Sequence, residues 1–137
     1  MIVIDASVLT DFLLGRPAAL DAVEGELEGR EHEPLHAPEL IYLETLNALR
    51  RLAIAGAVTD HRATQAAADL DGVRLVRYGH RTFRERVWEL RHNLTAYDAS
   101  YLALAEGSED AVLLTADAGL AGVARGSLGH DAVRLVA

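Results

Sequence analysis

The chain of 137 residues has no cysteine, which excludes disulfide bridges, zinc–thiolate sites and thiol catalysis. It has no lysine either; all 13 basic residues are arginine. Reactions that need a Schiff-base lysine, or the phosphate-sensing lysine of a P-loop, are therefore ruled out. Positive charge is scarce as a whole. Against 21 acidic residues the arginines leave a formal net charge of −8, with an isoelectric point near 5.1. That argues against a nucleic-acid binder working by bulk positive charge. It leaves room for a nuclease, because a cation held by acidic groups attracts phosphate locally. No apolar run reaches the ~18–20 residues of a membrane span, and no charged leader precedes the opening apolar residues. A soluble, cytoplasmic protein is expected. No Pro- or Gly-rich linker, repeat or low-complexity segment interrupts the chain. Half the residues are hydrophobic, enough for a core, so a single domain over residues 1–137 is expected.

What is present is an alternation of short apolar runs with helical spacings. Residues 2–4 read as a buried strand and 6–14 as a helix broken by Gly15, Arg16 and Pro17. Residues 18–29 carry Leu20, Val23 and Leu27 at helical spacing. A short strand over 35–37 is stopped by Pro38. Residues 39–55 form a long helix, apolar nearly all round and so expected to be buried on two sides. A helix over 59–70 and a strand over 73–76 follow, then an amphipathic segment over 81–91 with Phe83, Val87 and Leu90 on one side. Thr95 caps a helix over 96–106, with Asp98 at the third position of a capping box. A strand over 112–115, a short helix over 117–124 and a strand over 132–136 close the chain. Strands alternating with helices predict an α/β fold with a parallel sheet covered on both faces.

Four acids occupy telling places in that pattern. Asp5 closes the first strand and Asp117 follows the fourth; in open α/β sheets the functional crevice lies beyond the strands' carboxyl ends. Asp98 sits near a helix start. Glu44 is mid-helix, sharing a face with Leu40, Asn47 and Arg51, and is expensive to bury unless something pairs it. A parallel sheet brings such residues to one edge, where crowded carboxylates raise each other's pKa and attract a hard divalent cation. That points to metal-assisted phosphodiester chemistry. Each acid also has a local structural explanation: Asp5, Asp98 and Asp117 as helix caps, Glu44 as a partner of Arg51. The six histidines show no paired ligand spacing and read as surface or packing residues.

The segments IVIDASVL (2–9), APEL (37–40), ETLNALRR (44–51), LTAYDASYLALAE (94–106) and LLTADAGLA (113–121) together resemble the PIN-domain family. Within it they are similar to the VapC-type toxin ribonucleases of bacterial toxin–antitoxin pairs. The resemblance runs over essentially the whole chain. It implies a three-layer sandwich around a parallel sheet of about five strands, and an acidic pocket for Mg²⁺ or Mn²⁺. Asp5, Glu44, Asp98 and Asp117 take the family's four acidic positions, Thr115 its hydroxyl position, and Ser7 a weaker supporting one. On this likeness Asp5 and Asp98 are expected as direct metal ligands, with Glu44 and Asp117 holding metal-bound waters or a second ion. Such an ion polarises a scissile phosphate and acidifies water, while one of the four acids serves as general base. RNA contacts fall to Arg51, Arg84, Arg86 and Arg91. The resemblance further implies an antitoxin partner that covers or enters the pocket, and a homodimer, to which the apolar helix over 39–55 and Trp88 would contribute.

Other α/β classes fit less well. A phosphoacceptor receiver domain wants a late lysine. A haloacid-dehalogenase-type phosphatase wants an aspartate where Ser7 stands, and a lysine. A nucleotide-binding Rossmann module wants a glycine-rich turn after the first strand, which residues 5–10 lack. The remaining alternative is a PIN-like binding module without nuclease activity, its acids structural.

Overall fold

The computed structural model describes residues 1–137. Its centre is one parallel sheet of five strands in the order β3-β2-β1-β4-β5: β1 (Ile2–Ile4), β2 (Leu35–Pro38), β3 (Leu75–Tyr78), β4 (Val112–Thr115) and β5 (Val133–Leu135). The three central strands are almost continuous runs of buried apolar residues, as strands covered on both faces must be. From β1 the chain steps outward through β2 to β3, then crosses back to β4 and steps outward to β5. Right-handed crossovers put the connections of these two journeys on opposite faces. The helical contacts agree. α1 (Ala6–Leu13), α2 (Pro17–Leu27), α3 (Ile41–Ile54) and α4 (Asp60–Asp69) pack among themselves; α5 (Arg84–Glu89), α6 (Ala96–Glu106) and α7 (Ala118–Leu128) form the other group. The expected α/β sandwich with about five parallel strands is what forms.

Local chemistry explains most boundaries. Asp5, Thr59, Thr95 and Asp117 cap α1, α4, α6 and α7, each side-chain oxygen accepting a backbone N–H of the first turn. Pro17 occupies the first turn of α2, where its missing N–H is harmless. Gly129, at φ 93°, ends α7 in a conformation other residues rarely adopt. Pairwise packing adds an Arg86–Glu106 fork, with Nε to Oε1 at 2.8 Å and Nη2 to Oε2 at 2.9 Å, which ties α5 to α6.

Some expectations shift. Pro38 does not stop β2 but is its last residue, paired with Tyr78. β1 pairs only with Leu35 and His36, so Pro38 projects beyond it and no ladder bond there needs the absent N–H. The third strand lies at Leu75–Tyr78, not at 73–76, because a 3-10 turn at Leu70–Gly72 delays its start. α7 continues four residues past Ala124 despite Gly126, with Leu120, Ala121 and Ala124 packed in the core. The long helix is not buried on two sides. Ile41, Thr45 and Leu49 face the core, while Leu43, Leu46 and Ile54 stand in water at 74%, 40% and 71% exposure.

Leu113 is fully buried on β4, between Val3 and Val133. Leu113→Ala should lower stability by about 3 kcal/mol through lost burial and the cavity left behind, read as a lower urea midpoint at unchanged slope.

Candidate active site

Where the chain leaves β1 for one face and β4 for the other, the neighbouring loops part and a crevice opens. Asp5 begins α1 directly after β1, and Asp117 begins α7 two residues after β4. Each acid caps its helix: Asp5 Oδ1 accepts from Val8 N at 3.0 Å, and Asp117 Oδ1 from Leu120 N at 2.9 Å. α3 supplies Glu44 and α6 supplies Asp98. These four carboxylates line one cavity of about 580 Å³, with Tyr101, Arg51 and the Asp11–Arg16 pair (2.8 Å) also on its wall. The capping explanation and the clustering explanation are therefore both met by Asp5 and Asp117. Asp98 stands at the third position of α6, where its N–H reaches Thr95 Oγ1 at 3.2 Å. No return bond from its carboxylate closes the expected capping box, so that carboxylate stays available to the cavity.

Asp5 is the most deeply set, at 4% exposure. Ser7 Oγ donates to its Oδ1 at 2.5 Å, and Thr115 Oγ1 donates to Oδ2. Both hydroxyls are themselves fixed: Ala116 N donates to Ser7 Oγ and Asp117 N to Thr115 Oγ1, each at 3.0 Å. Thr115 is fully buried and does not line the cavity. It orients Asp5 rather than facing a reactant; Ser7 does line the cavity. Sequence reasoning missed Tyr101, whose hydroxyl donates to Glu44 Oε1 at 2.7 Å. Its place three residues after Asp98 on α6, one helical turn along the same face, was the available signal. Arg51 does not form an ion pair with Glu44; the two share the cavity wall. Arg86, expected as an RNA contact, is committed to Glu89 and Glu106 instead.

The electrostatics follow from burial and crowding. Desolvation, against the pull of its hydroxyl and N–H donors, raises the Asp5 pKa. Desolvation also raises Glu44, with Tyr101 opposing and Asp5 adding to the rise. Asp98 is pushed up to about 6, first by desolvation and then by the charges of Asp117, Asp5 and Glu44. The donor set is entirely oxygen, which suits a hard divalent cation such as Mg²⁺ or Mn²⁺ rather than a thiolate- or imidazole-seeking metal. As they stand, no three of these carboxylates are close enough to hold one ion. The four line one cavity but are not drawn to ligating distance.

The chain matches the family model described as the PIN domain over residues 2–126. It is 42% identical over 120 residues to the VapC ribonuclease Mb0985 of Mycobacterium bovis, covering 85% of this chain and 86% of that protein. Ribonuclease VapC12 of Mycobacterium tuberculosis is 34% identical over 138 residues, covering all of both chains. Ribonuclease VapC1 of the same species is 37% identical over 120 residues, covering 87% of each.

Crowding makes a pH prediction with a definite sign. A carboxyl whose folded pKa is raised holds its proton in the folded state after the unfolded chain has released it. Metal-free stability is therefore lost as pH rises from the ordinary aspartate value of 3.8 to about 6. Asp98→Asn removes this loss. In EDTA it should stabilise the fold by about 1 kcal/mol at neutral pH, less than the full linkage value because the group is half open to solvent. The gain should shrink toward the acid end of that window, as read by thermal melting at both pH values.

Proposed function

The chain belongs to the PIN-domain family, and from that membership and the acidic cavity we propose that it is a metal-dependent endoribonuclease, the toxin of a type II toxin–antitoxin pair. One observation carries this most directly: four carboxylates from four separate elements, Asp5, Glu44, Asp98 and Asp117, line one cavity at the sheet's switch point. The relatives' name of ribonuclease supports RNA as the substrate. The activity sits in a single domain over residues 1–137 and acts in the cytoplasm, where its substrate is; no helix is long and apolar enough to cross a membrane.

Asp5 and Asp98 would bind a divalent ion directly, and Glu44 and Asp117 would hold it through water or share a second ion. When bound, the ion supplies Lewis-acid polarisation of the phosphate and acidifies water near it. The remaining work belongs to the chain. Ser7 and Thr115 keep Asp5 in one orientation, so that a ligand need not be ordered at the moment of reaction. Tyr101 does the same for Glu44. Arg51, on the same wall and free of an ion pair, donates to phosphate oxygens. One of the four carboxylates takes the proton of the attacking water.

The antitoxin is a basic partner in this account. The net charge of −8 steers it, and an arginine of its segment enters the cavity in place of the cation. Two copies of the toxin associate through the stripe Leu43, Leu46 and Ile54 of α3, an apolar surface that the single chain leaves in water.

Purified protein should cut RNA with Mg²⁺ or Mn²⁺ and stop on EDTA. Asp5→Asn keeps the shape but removes a negative ligand, and should abolish cleavage while the protein melts at or above the wild-type temperature. Undiminished cleavage by this variant would assign the activity elsewhere. Ile54→Asp, on an exposed position, should leave the fold intact and shift sedimentation at micromolar concentration from dimer to monomer.

A further inference from the structure

A second hollow, of about 460 Å³, shares two walls with the acidic cavity. Leu40, at the start of α3, faces the hollow, while Glu44 one turn on faces the cavity. On α6, Tyr97 and Ser100 face the hollow, while Asp98 and Tyr101 face the cavity. The remaining wall comes from α5 and the turn before it. Two large aromatics stand at this hollow in water: Trp88 is 65% exposed and Tyr97 64%.

The charge around it is opposite to that of the protein. None of its lining residues is acidic, although acids outnumber arginines 21 to 13 in the chain. Arg81 and Arg84 line it without an ion pair. Arg91 lies over the Trp88 ring, 4.6 Å from its centroid, and is also free of carboxylates. Arg86, on the same short helix, is bound to Glu89 and Glu106. The two arginines of α5 are thus separated: Arg86 is neutralised against the protein, and Arg84 is left at the hollow. Aromatic faces beside unpaired guanidiniums are what single-stranded nucleic acid requires, bases stacking on the rings and phosphates meeting the arginines. A second copy of this face, related by a two-fold axis, would bring the same free guanidiniums toward one another. A basic protein segment would be repelled by them.

We propose that this hollow holds an unpaired base of the RNA substrate, stacked on Trp88 and Tyr97 with its phosphate on Arg81 and Arg84, so that a neighbouring phosphodiester enters the acidic cavity. The subsite rests on the ribonuclease function above and makes it prefer single-stranded segments, because a base inside a duplex has no face to offer.

Trp88 is the only tryptophan in the chain, so its emission reports on this place alone. The experiment titrates wild-type protein in EDTA with a short single-stranded oligoribonucleotide. Saturable quenching of Trp88 is expected. Trp88→Ala and Tyr97→Ala should bind a fluorescein-labelled oligonucleotide roughly tenfold or more weakly by anisotropy, and Trp88→Phe should recover most of the loss. With Mn²⁺, Trp88→Ala should raise KM more than it lowers kcat. Both side chains are mostly exposed, so the variants should melt like the wild type. Binding and cleavage by Trp88→Ala equal to wild type would overturn the subsite. So would Trp88 emission unmoved by RNA together with a dimer that Trp88→Ala dissociates, which would make this a protein–protein face. Asp5→Asn separates the two claims. If RNA cleavage is lost in Asp5→Asn but indifferent to Trp88, the subsite falls and the nuclease stands. If the wild type binds RNA through Trp88 but cuts none, the subsite stands and the nuclease falls.

Discussion

The buried carboxylate of Asp5 is the constraint around which the working end of this molecule is arranged. A charge taken out of water at the end of a central strand is costly unless donors surround it. Here they come from three places: the first turn of α1 through Val8, the side chain of Ser7, and the end of β4 through Thr115. Satisfying one acid thus joins the carboxyl ends of β1 and β4, the two strands whose connections leave in opposite directions. Ala116 and Asp117 donate to the same hydroxyls, so the start of α7 is set by the same network. The second acid, Asp117, is therefore placed by the solvation of the first.

The other two carboxylates reach the cavity from helices packed on opposite faces of the sheet, Glu44 from α3 and Asp98 from α6. Tyr101 spans them, rooted in α6 and bonded to Glu44. No ion pair within the chain neutralises the four. Burial raises the pKa values of Asp5, Glu44 and Asp98, and the charges of neighbouring acids add to the rise at Glu44 and Asp98. A site built for stability alone would have paired them with arginine. Instead the cavity's Arg16 is bonded to Asp11 at the rim, and Arg51 makes no ion pair. Burying these acids without ion pairs costs stability, which is the trade expected where function, not folding, selects the residues.

Much of this was legible from local chemistry. Apolar runs ending in Asp5 and preceding Asp117, and the threonine caps at 59 and 95, identify strand and helix ends without any tertiary information. Asp5 and Asp117 were visible because strand ends in parallel sheets share one edge; Glu44 stood out as a costly carboxylate on an apolar helix, and Asp98 as an acid near a helix start. What the sequence hides is what depends on distant partners. Glu44 and Tyr101 are 57 residues apart, and only the packing of α3 near α6 makes them a pair. Thr115 reads as a member of the reacting set, yet burial turns its hydroxyl toward Asp5. Arg84 and Arg86 look equivalent two residues apart; which one is neutralised depends on Glu106 of another helix. The apolar α3 reads as doubly buried, because periodicity cannot tell a face covered by the same chain from one left in water.

The central claim is that the four carboxylates form one cation site. Calorimetric titration of the metal-free protein with Mn²⁺ addresses it most directly. Saturable binding is predicted for the wild type, weakened in each of Asp5→Asn, Glu44→Gln, Asp98→Asn and Asp117→Asn while all four variants remain folded. Absence of binding, or wild-type affinity retained by all four variants, would contradict the claim.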